Sequence, residues 1–514
     1  MLALLAWCTG RPFKEASSPR KAVASAASSA SSATSHVPGR APASSQTDAT
    51  TSRGTTNAGH VFKPGKPPPH PLVNVPEVLD LLGVRRDVDG RHVPGCRVED
   101  VARRAMTAKH MALVSRAIEH LCAREGQLWW SVGKGADGVE RWVQVSLQVR
   151  EVNLYHFNST VTVAVTAEFQ CSFFELVADG PVDPEWYMSH TWGEPWCHTT
   201  ACLARHRRDR EYGEDKGIWI CATANNQHEL ATAVTSDPTK SAFYPAMTGA
   251  ARGAVTVIGE SGMLFSRVWC AFEAHEAIAL GGERPYLYDA LTPLATTAGG
   301  IEVVRIYDGL LENELTFQKS GAEEKFSLKV VRAALDSSIE DCASAVPQDK
   351  EGIIAHVEGG KGTRELDATV RSRFLVGAIR ALWKDKGALR QAEKTLAVMP
   401  EASLSVISID ADNNAPTGWV GAKLVPHLPQ TGTLVNLTLV SCGLGDSGAQ
   451  ALARFLKTKG ALNLRVLRLS SNKIGNAGAT AIGKYLESEQ ASQLERLELH
   501  DNEIGDVGAT AIGS

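Results

Sequence analysis

The chain has 514 residues, 43% of them hydrophobic, with a formal net charge of −4 and a pI near 6.4. That length accommodates about three domains, and the near-neutral charge removes the electrostatic case for binding nucleic acid or an anionic membrane surface. No apolar run reaches the roughly 18 to 20 residues of a membrane-spanning helix, and ten cysteines scattered from Cys8 to Cys442 without a C-x-x-C pair fit reduced thiols in a cytoplasmic setting. Residues 1–73 are expected to be a disordered Ala/Ser/Pro-rich tail. From Ser17 to His60 the chain is Ala, Ser and Thr with scattered Arg and Lys, and Lys63-Pro-Gly-Lys-Pro-Pro-Pro-His-Pro closes it; such a segment buries too little apolar area to offset its ordering entropy. Met1-Leu-Ala-Leu-Leu-Ala-Trp has some of the character of a short signal-peptide apolar region, and the Arg/Ser-rich, acid-poor continuation has some of the composition of an organellar transit peptide.

Residues 74–183 are expected to form a small module of helix plus β-hairpin. Val98, Val101, Ala105, Leu113, Val114, Ala117, Ile118 and Leu121 recur at helical spacing. Gln127 to Val132, a Gly133-Lys-Gly-Ala-Asp-Gly138 turn, and the alternation from Trp142 to Val149 read as two paired strands. Helices before a hairpin could make a winged helix, but acidic neighbours offset Arg85, Arg86, Arg103 and Arg104, which favours a packing module.

Residues 184–310 alternate strand and helix. Glu185-Trp-Tyr-Met-Ser-His190 reads as a strand ending in the loop at Gly193 and Glu194, and the helix after it carries Cys197, Cys202 and the basic run Arg205 to Arg210. Gly217-Ile-Trp-Ile and Ala254-Val-Thr-Val-Ile258 read as buried strands, with helix-like sequence from Ala242 to Ala251 between them. Ser266 reads as an N-cap, followed by Trp269, Phe272 and Glu273 at helical spacing. Strand candidates Pro285 to Tyr288 and Ile301 to Tyr307 complete a parallel sheet built from βαβ crossovers. Glu273 thereby falls near the carboxyl ends of the strands, where open α/β sheets bind ligands. His190, His198, His206, His228 and His275 lie on separate elements without metal-ligand spacing, so no metal is expected. Cys270 is expected to be a buried packing residue.

Tyr187-Met-Ser-His-Thr-Trp-Gly-Glu194, then Ala246-Met-Thr-Gly-Ala-Ala-Arg, Ala254-Val-Thr-Val-Ile, and Ser266-Arg-Val-Trp-Cys-Ala-Phe-Glu273 together resemble a Toll/interleukin-1 receptor (TIR) domain. That family's first strand ends in a Ser-x-x-Gly-Glu-like loop, and its third helix opens with Ser-x-Trp-Cys-x-x-Glu. The resemblance implies a flavodoxin-like parallel sheet with flanking helices. In enzymatic members the helix glutamate supports NAD hydrolysis, which places Glu273 as the catalytic carboxylate, with Ser189, His190, Gly193, Glu194 and Trp269 around NAD as substrate and no resident cofactor. A carboxylate suits that chemistry because glycosidic cleavage passes through an oxocarbenium-like state. Here two residues, Arg267 and Val268, separate the serine from the tryptophan where one is usual, and Ala274 follows the glutamate where leucine is usual. Other members only assemble, which implies self-association through this domain. The structural alternative for Glu273 is a helix N-terminal carboxylate favoured by the macrodipole.

Residues 311–400 read as a helical connector, with one stripe at Phe326, Val330, Val331, Ala334 and Leu335 and another at Val370, Phe374, Ala378, Ile379, Leu382 and Trp383. Neither Gly133-Lys-Gly-Ala-Asp-Gly138 nor Gly359-Gly-Lys-Gly-Thr363 satisfies the phosphate-loop pattern, so no NTPase switch is expected.

Residues 401–514 are an array. Leu434-x-x-Leu437-x-Leu439-x-x-Cys442-x-Leu444 recurs every 30 residues from Leu464 and from Leu494, and a degenerate copy begins at Leu404. The pattern resembles leucine-rich repeats of the ribonuclease-inhibitor class, which implies an α/β solenoid. Gly418, Gly448, Gly478 and Gly508 mark the turn into each helix, and Asn472 and Asn502 are expected to bond turn backbones. The outward strand positions Asn436, Thr438, Val440, Arg468, Ser470, Arg496, Glu498 and His500 form the expected concave, partner-binding face, with Arg468 opposite Glu498. The array stops at Ser514 without a polar cap, the expectation for a truncated repeat array.

The expected protein is therefore an α/β multidomain recognition and signalling protein: repeats bind a protein partner, and a TIR-like domain mediates assembly. The alternatives are an NAD glycohydrolase regulated by the repeats and, from the repeat class alone, a GTPase-activating protein.

Overall fold

In the computed structural model, the described residues are 68, 70–134, 139–229, 237–297, 300–312, 314–344 and 347–513. The predicted tail up to residue 67 and the centre of the predicted hairpin turn lie outside them. Among the described residues no helix is long and apolar enough to cross a membrane, and every cysteine from Cys96 to Cys442 is a free thiol.

Helix α1 (Val75–Leu81) is capped by Asn74, and α2 (Ala108–Cys122) by Thr107, whose backbone N–H donates to His110 Nδ1 at 3.2 Å. α2 buries His110, Met111, Val114, Ala117, Ile118 and Leu121, the helical stripe the sequence predicts. Strands β1 (Trp129–Lys134) and β2 (Glu140–Val145) pair antiparallel as the expected hairpin.

The central sheet contains β3 (Pro184–His190), β4 (Gly217–Trp219), β5 (Gly253–Val257), β6 (Leu287–Thr297) and β7 (Gly300–Ile306), in the order β4-β3-β5-β6-β7. The pairs from β4 to β6 are parallel. Counted along the chain this is order 2-1-3-4-5, one of the two common orders of doubly wound sheets. β3 and β5 are buried at almost every position, as strands covered on both faces must be. The covering helices are α3 (Trp196–Asp209), α4 (Phe243–Gly249) and α5 (Val268–Glu283). β7 departs from the expected parallel sheet: it runs antiparallel to β6. Only two residues separate Thr297 from Gly300, and a connection that short closes a hairpin but cannot make the crossover a parallel pair requires.

The 74–183 segment covers the free edge of this sheet. Met106 N–H donates to Ile218 O at 2.8 Å, and Ile218 N–H returns a bond to Met106 O at 2.9 Å. The exposed ladder groups of β4 are thereby paired.

Six connector helices follow: α6 (Thr316–Glu323), α7 (Leu328–Leu335), α8 (Pro347–Gly359), α9 (Thr363–Gly377), α10 (Ile379–Lys384) and α11 (Lys386–Leu396). They touch both neighbours. Toward the sheet, Trp269 Nε1–H donates to Asp349 Oδ2 of α8 at 3.2 Å. Toward the array, Asp410 N–H donates to Ser320 Oγ of α6 at 3.0 Å, and Ser403 N–H to Thr369 Oγ1 of α9 at 2.8 Å.

The array stacks β8 (Val406–Asp410), β9 (Asn436–Val440), β10 (Val466–Arg468) and β11 (Arg496–Glu498) in parallel, with Ile407, Leu437, Leu467 and Leu497 in register. Helices α12 (Gly445–Leu456), α13 (Asn476–Leu486) and α14 (Asp506–Gly513) follow the last three strands. After β8 the corresponding segment is irregular, with five residues of π-helix (Val420–Leu424) leading into a 3₁₀ turn (Val425–His427). Pro426, which has no N–H to donate, sits in that turn. Gly448, Gly478 and Gly508 lie inside the first helical turn rather than before it, where their role is close packing, whereas Gly418 sits in the turn ahead of its helical segment with φ +67°, as expected. A Cβ on Gly478 would come within 2.9 Å of Ala449 Cβ and 2.8 Å of Asp446 Oδ1.

Candidate functional site

Two neighbouring elements place Glu273. Tyr187 and Ser189 are two apart on β3, so they project to one face of the sheet, and Glu273 in the second turn of α5 meets both. Tyr187 Oη donates to Glu273 Oε1 at 2.6 Å, and Ser189 Oγ donates to Oε2. Ser266 does not cap this helix as expected. It ends a 3₁₀ turn, Met263–Ser266, its hydroxyl donates to Met263 O at 2.8 Å, and Arg267 holds the N-cap position without a side-chain cap.

The carboxylate is sealed, with Glu273 only 2% exposed. Tyr187 stacks on Trp219 with ring centroids 5.3 Å apart, and Phe243 lies 5.7 Å from Trp219 and 5.6 Å from Trp269. Burial pushes the Glu273 carboxyl up to about 7, although the Ser189 and Tyr187 hydroxyls and the Arg267 charge pull the other way. The same burial raises the Cys270 thiol to about 12, so it has no thiolate character near neutral pH.

Each of the other residues expected around NAD has partners of its own. His190 is buried, with Nδ1 3.3 Å from Met188 O and Nε2 without a hydrogen-bond partner, and burial pushes its imidazole down to about 3. Trp269 is buried and turned toward Asp349. Gly193 O accepts from Asn153 Nδ2 at 3.3 Å. Glu194 Oε1 bonds His198 Nδ1 at 2.8 Å, and its Oε2 lies so close to Gly259 that a Cβ there would sit 2.1 Å away. β3 and β5 flank the point where the strand order reverses, which is where doubly wound sheets open a ligand crevice; the Glu194 side chain occupies it.

Sequence reasoning missed three arrangements. Asp289 on β6 is buried between His206, with Nε2 3.0 Å from Oδ2, and Arg210, whose Nη2–H donates to Oδ1 at 2.6 Å. Burial alone would raise that carboxyl; the Arg210 charge and the His206 and Arg210 hydrogen bonds overcome it and hold Asp289 well below its ordinary value. The basic run hid this because Arg210 alone among those arginines turns inward onto Asp289. A cleft of about 740 Å³ opens where the 74–183 segment meets the loop after β4, lined by Arg97, Arg104 and Lys240 against Glu99, Glu175 and Glu229. Finally, His275 is not isolated: it joins Glu276 and His356, which lies 80 residues beyond Glu276.

On the array, the strand face opposite the leucines is partly closed. Thr438 and Ser470 are 1% and 2% exposed, which corrects the expectation that they reach a partner. Thr438 is a short side chain in register between Arg468 and Ser408 and donates to Asn436 Oδ1 at 2.9 Å. Asn436, Val440, Arg468 and Glu498 are half-buried, while Arg496 and His500 are exposed. Arg468 Nε–H donates to Glu498 Oε1 at 3.0 Å, and Arg496 Nε lies 2.7 Å from the same oxygen. The expected asparagine ladder is present: Cys442 N–H donates to Asn472 Oδ1 and Asn472 N–H to Asn502 Oδ1, both at 3.0 Å.

Residues 433–453, 461–483 and 492–513 match the family model described as Leucine Rich repeat. No curated protein matches the chain. The matched segments are the repeats of β9, β10 and β11, and leucine-rich repeats are commonly protein-binding.

Proposed function

We propose that this chain is a protein-recognition and assembly protein in which the repeat array binds a protein partner and a TIR-like α/β domain serves as scaffold and self-association module. The observation that carries the reading is the stacked strand face on which Arg496 and His500 stand exposed beside the Arg468–Glu498 pair. Stacked repeats present such side chains on a concave surface that suits a folded protein surface. The flavodoxin-like order of β3 to β7 supports the TIR-like scaffold, with the antiparallel β7 as a departure. The test uses the purified full chain as bait against extract from its source. A protein retained by the wild type and lost with Arg496→Glu plus His500→Glu, at unchanged melting temperature, supports the reading; identical retained sets overturn it.

NAD hydrolysis is the second reading, favoured by the contacts of Ser189 and Tyr187 with Glu273 and by a carboxyl poised near neutrality. It requires an opening that frees the carboxylate from both hydroxyls. Nicotinamide release by the full chain, abolished by Glu273→Gln, would establish it; no release from the assembled protein would remove it.

A further inference from the structure

His275 and Glu276 are consecutive on α5, and His356 approaches them from α8. His275 Nδ1 lies 2.8 Å from Glu276 Oε1, and His356 Nε2 lies 2.8 Å from the same oxygen. The donor atoms of all three residues fall within 4.8 Å of one another. His275 and Glu276 are both 6% exposed, whereas the His356 side chain is 29% exposed, so one side of the cluster opens to solvent. His275 Nε2 is buried with no hydrogen-bond partner; apart from Glu276, no neighbour dictates which nitrogen of that ring carries the proton.

We propose that His275, Glu276 and His356 form a binding site for a divalent transition-metal ion of the Zn²⁺ class, which fastens helix α8 of the connector to helix α5 of the α/β domain. Two imidazoles and one carboxylate are a donor set that suits Zn²⁺, with water in the fourth, solvent-facing position of a tetrahedron. Metal–ligand distances near 2.0–2.1 Å put neighbouring donors about 3.3 Å apart. The two 2.8 Å contacts therefore need to open by only about half an ångström, within reach of small side-chain rotations. Each imidazole then turns a lone pair, rather than an N–H, toward the ion. The site joins elements that are distant in the chain, and Trp269 and Asp349 already link the same two helices, so an ion here consolidates an interface that exists without it.

The test is metal binding by the purified full chain. After treatment with a chelator, ZnCl₂ and CoCl₂ are titrated into the wild type, His356→Ala and Glu276→Gln. The expected result is one equivalent bound per wild-type chain, a rise in the melting midpoint on adding Zn²⁺, and visible Co²⁺ absorption of a four-coordinate N/O site without thiolate charge-transfer bands. Each variant should bind more than about 100-fold more weakly and lose the metal-dependent rise, while far-ultraviolet circular dichroism shows that it folds. The proposal is overturned if the wild type binds no equivalent, if binding survives both variants, or if Co²⁺ shows thiolate bands that place the ion at cysteines. Should a variant fail to fold, the wild-type stoichiometry and Co²⁺ spectrum still decide.

Discussion

Tyr187 Oη and Glu273 Oε1 are 2.6 Å apart across the β3–α5 interface, and both side chains are buried. A carboxylate in that position, with Ser189 on its other oxygen, ties helix to sheet as firmly as it could serve chemistry. Glu273→Ala orphans two buried hydroxyls and leaves a cavity, and is expected to cost about 2–4 kcal/mol in chemical denaturation. Glu273→Gln should cost less. The folded carboxyl, near 7, lies above its ordinary value of 4.5, so the stability it contributes is fully present below about pH 4.5 and is lost as pH rises to about 7. Relative to wild type, Glu273→Gln should therefore gain stability between pH 5 and pH 8; a constant difference across that range would refute the assignment.

His190 works in the opposite direction. Its buried imidazole stays neutral down to about pH 3, whereas the unfolded ring takes up a proton near pH 6.5. The stability due to neutral His190 is fully present above about pH 6.5 and falls with pH by about 1.4 kcal/mol per unit until about pH 3. Urea midpoints measured at several pH values should show this fall in the wild type and a shallower one in His190→Asn.

The Asp289–Arg210 pair is held within the core, 2.6 Å apart. Arg210→Ala leaves a buried carboxylate with His206 as its remaining side-chain partner and is expected to destabilise by about 3–5 kcal/mol. Calorimetry would check the loss, and Asp289→Asn in the Arg210→Ala background should recover part of it by removing the uncompensated charge.

Asn472 is fully buried; its Oδ1 accepts from Cys442 N–H at 3.0 Å, and its Nδ2–H donates to Ser470 O at 3.1 Å. Asn472→Ala should cost about 2–4 kcal/mol, because turn groups of two adjacent repeats lose their partner. Asn502, on the less buried β11 turn, should cost less when changed in the same way, and paired denaturation curves would show the order.

Arg468 and Glu498 bond across β10 and β11 but are each about one-fifth exposed. A double-mutant cycle with both changed to Ala should give a coupling below about 1 kcal/mol. A larger value would make this pair a structural clamp rather than part of a binding face.

The chain's local patterns determined a great deal. The 30-residue leucine period dictated one strand per repeat and the register that stacks Leu437 on Leu467 and Leu497. Short β-branched runs set β3 and β5, and their alternation with helices set a largely parallel sheet. These features are legible because hydrophobic period and turn chemistry act over a few residues. Only the tertiary structure decided what each side chain meets. A two-residue connection turned β7 antiparallel, a 3₁₀ turn drew Ser266 away from the helix cap, and neighbouring strands buried Thr438 that periodicity placed outside. The closure around Glu273, the Glu194 carboxylate against Gly259, and the meeting of His275, Glu276 and His356 likewise depend on elements far apart in the chain. Burial and hydrogen-bond partners are set by packing between such elements, and local spacing does not encode them.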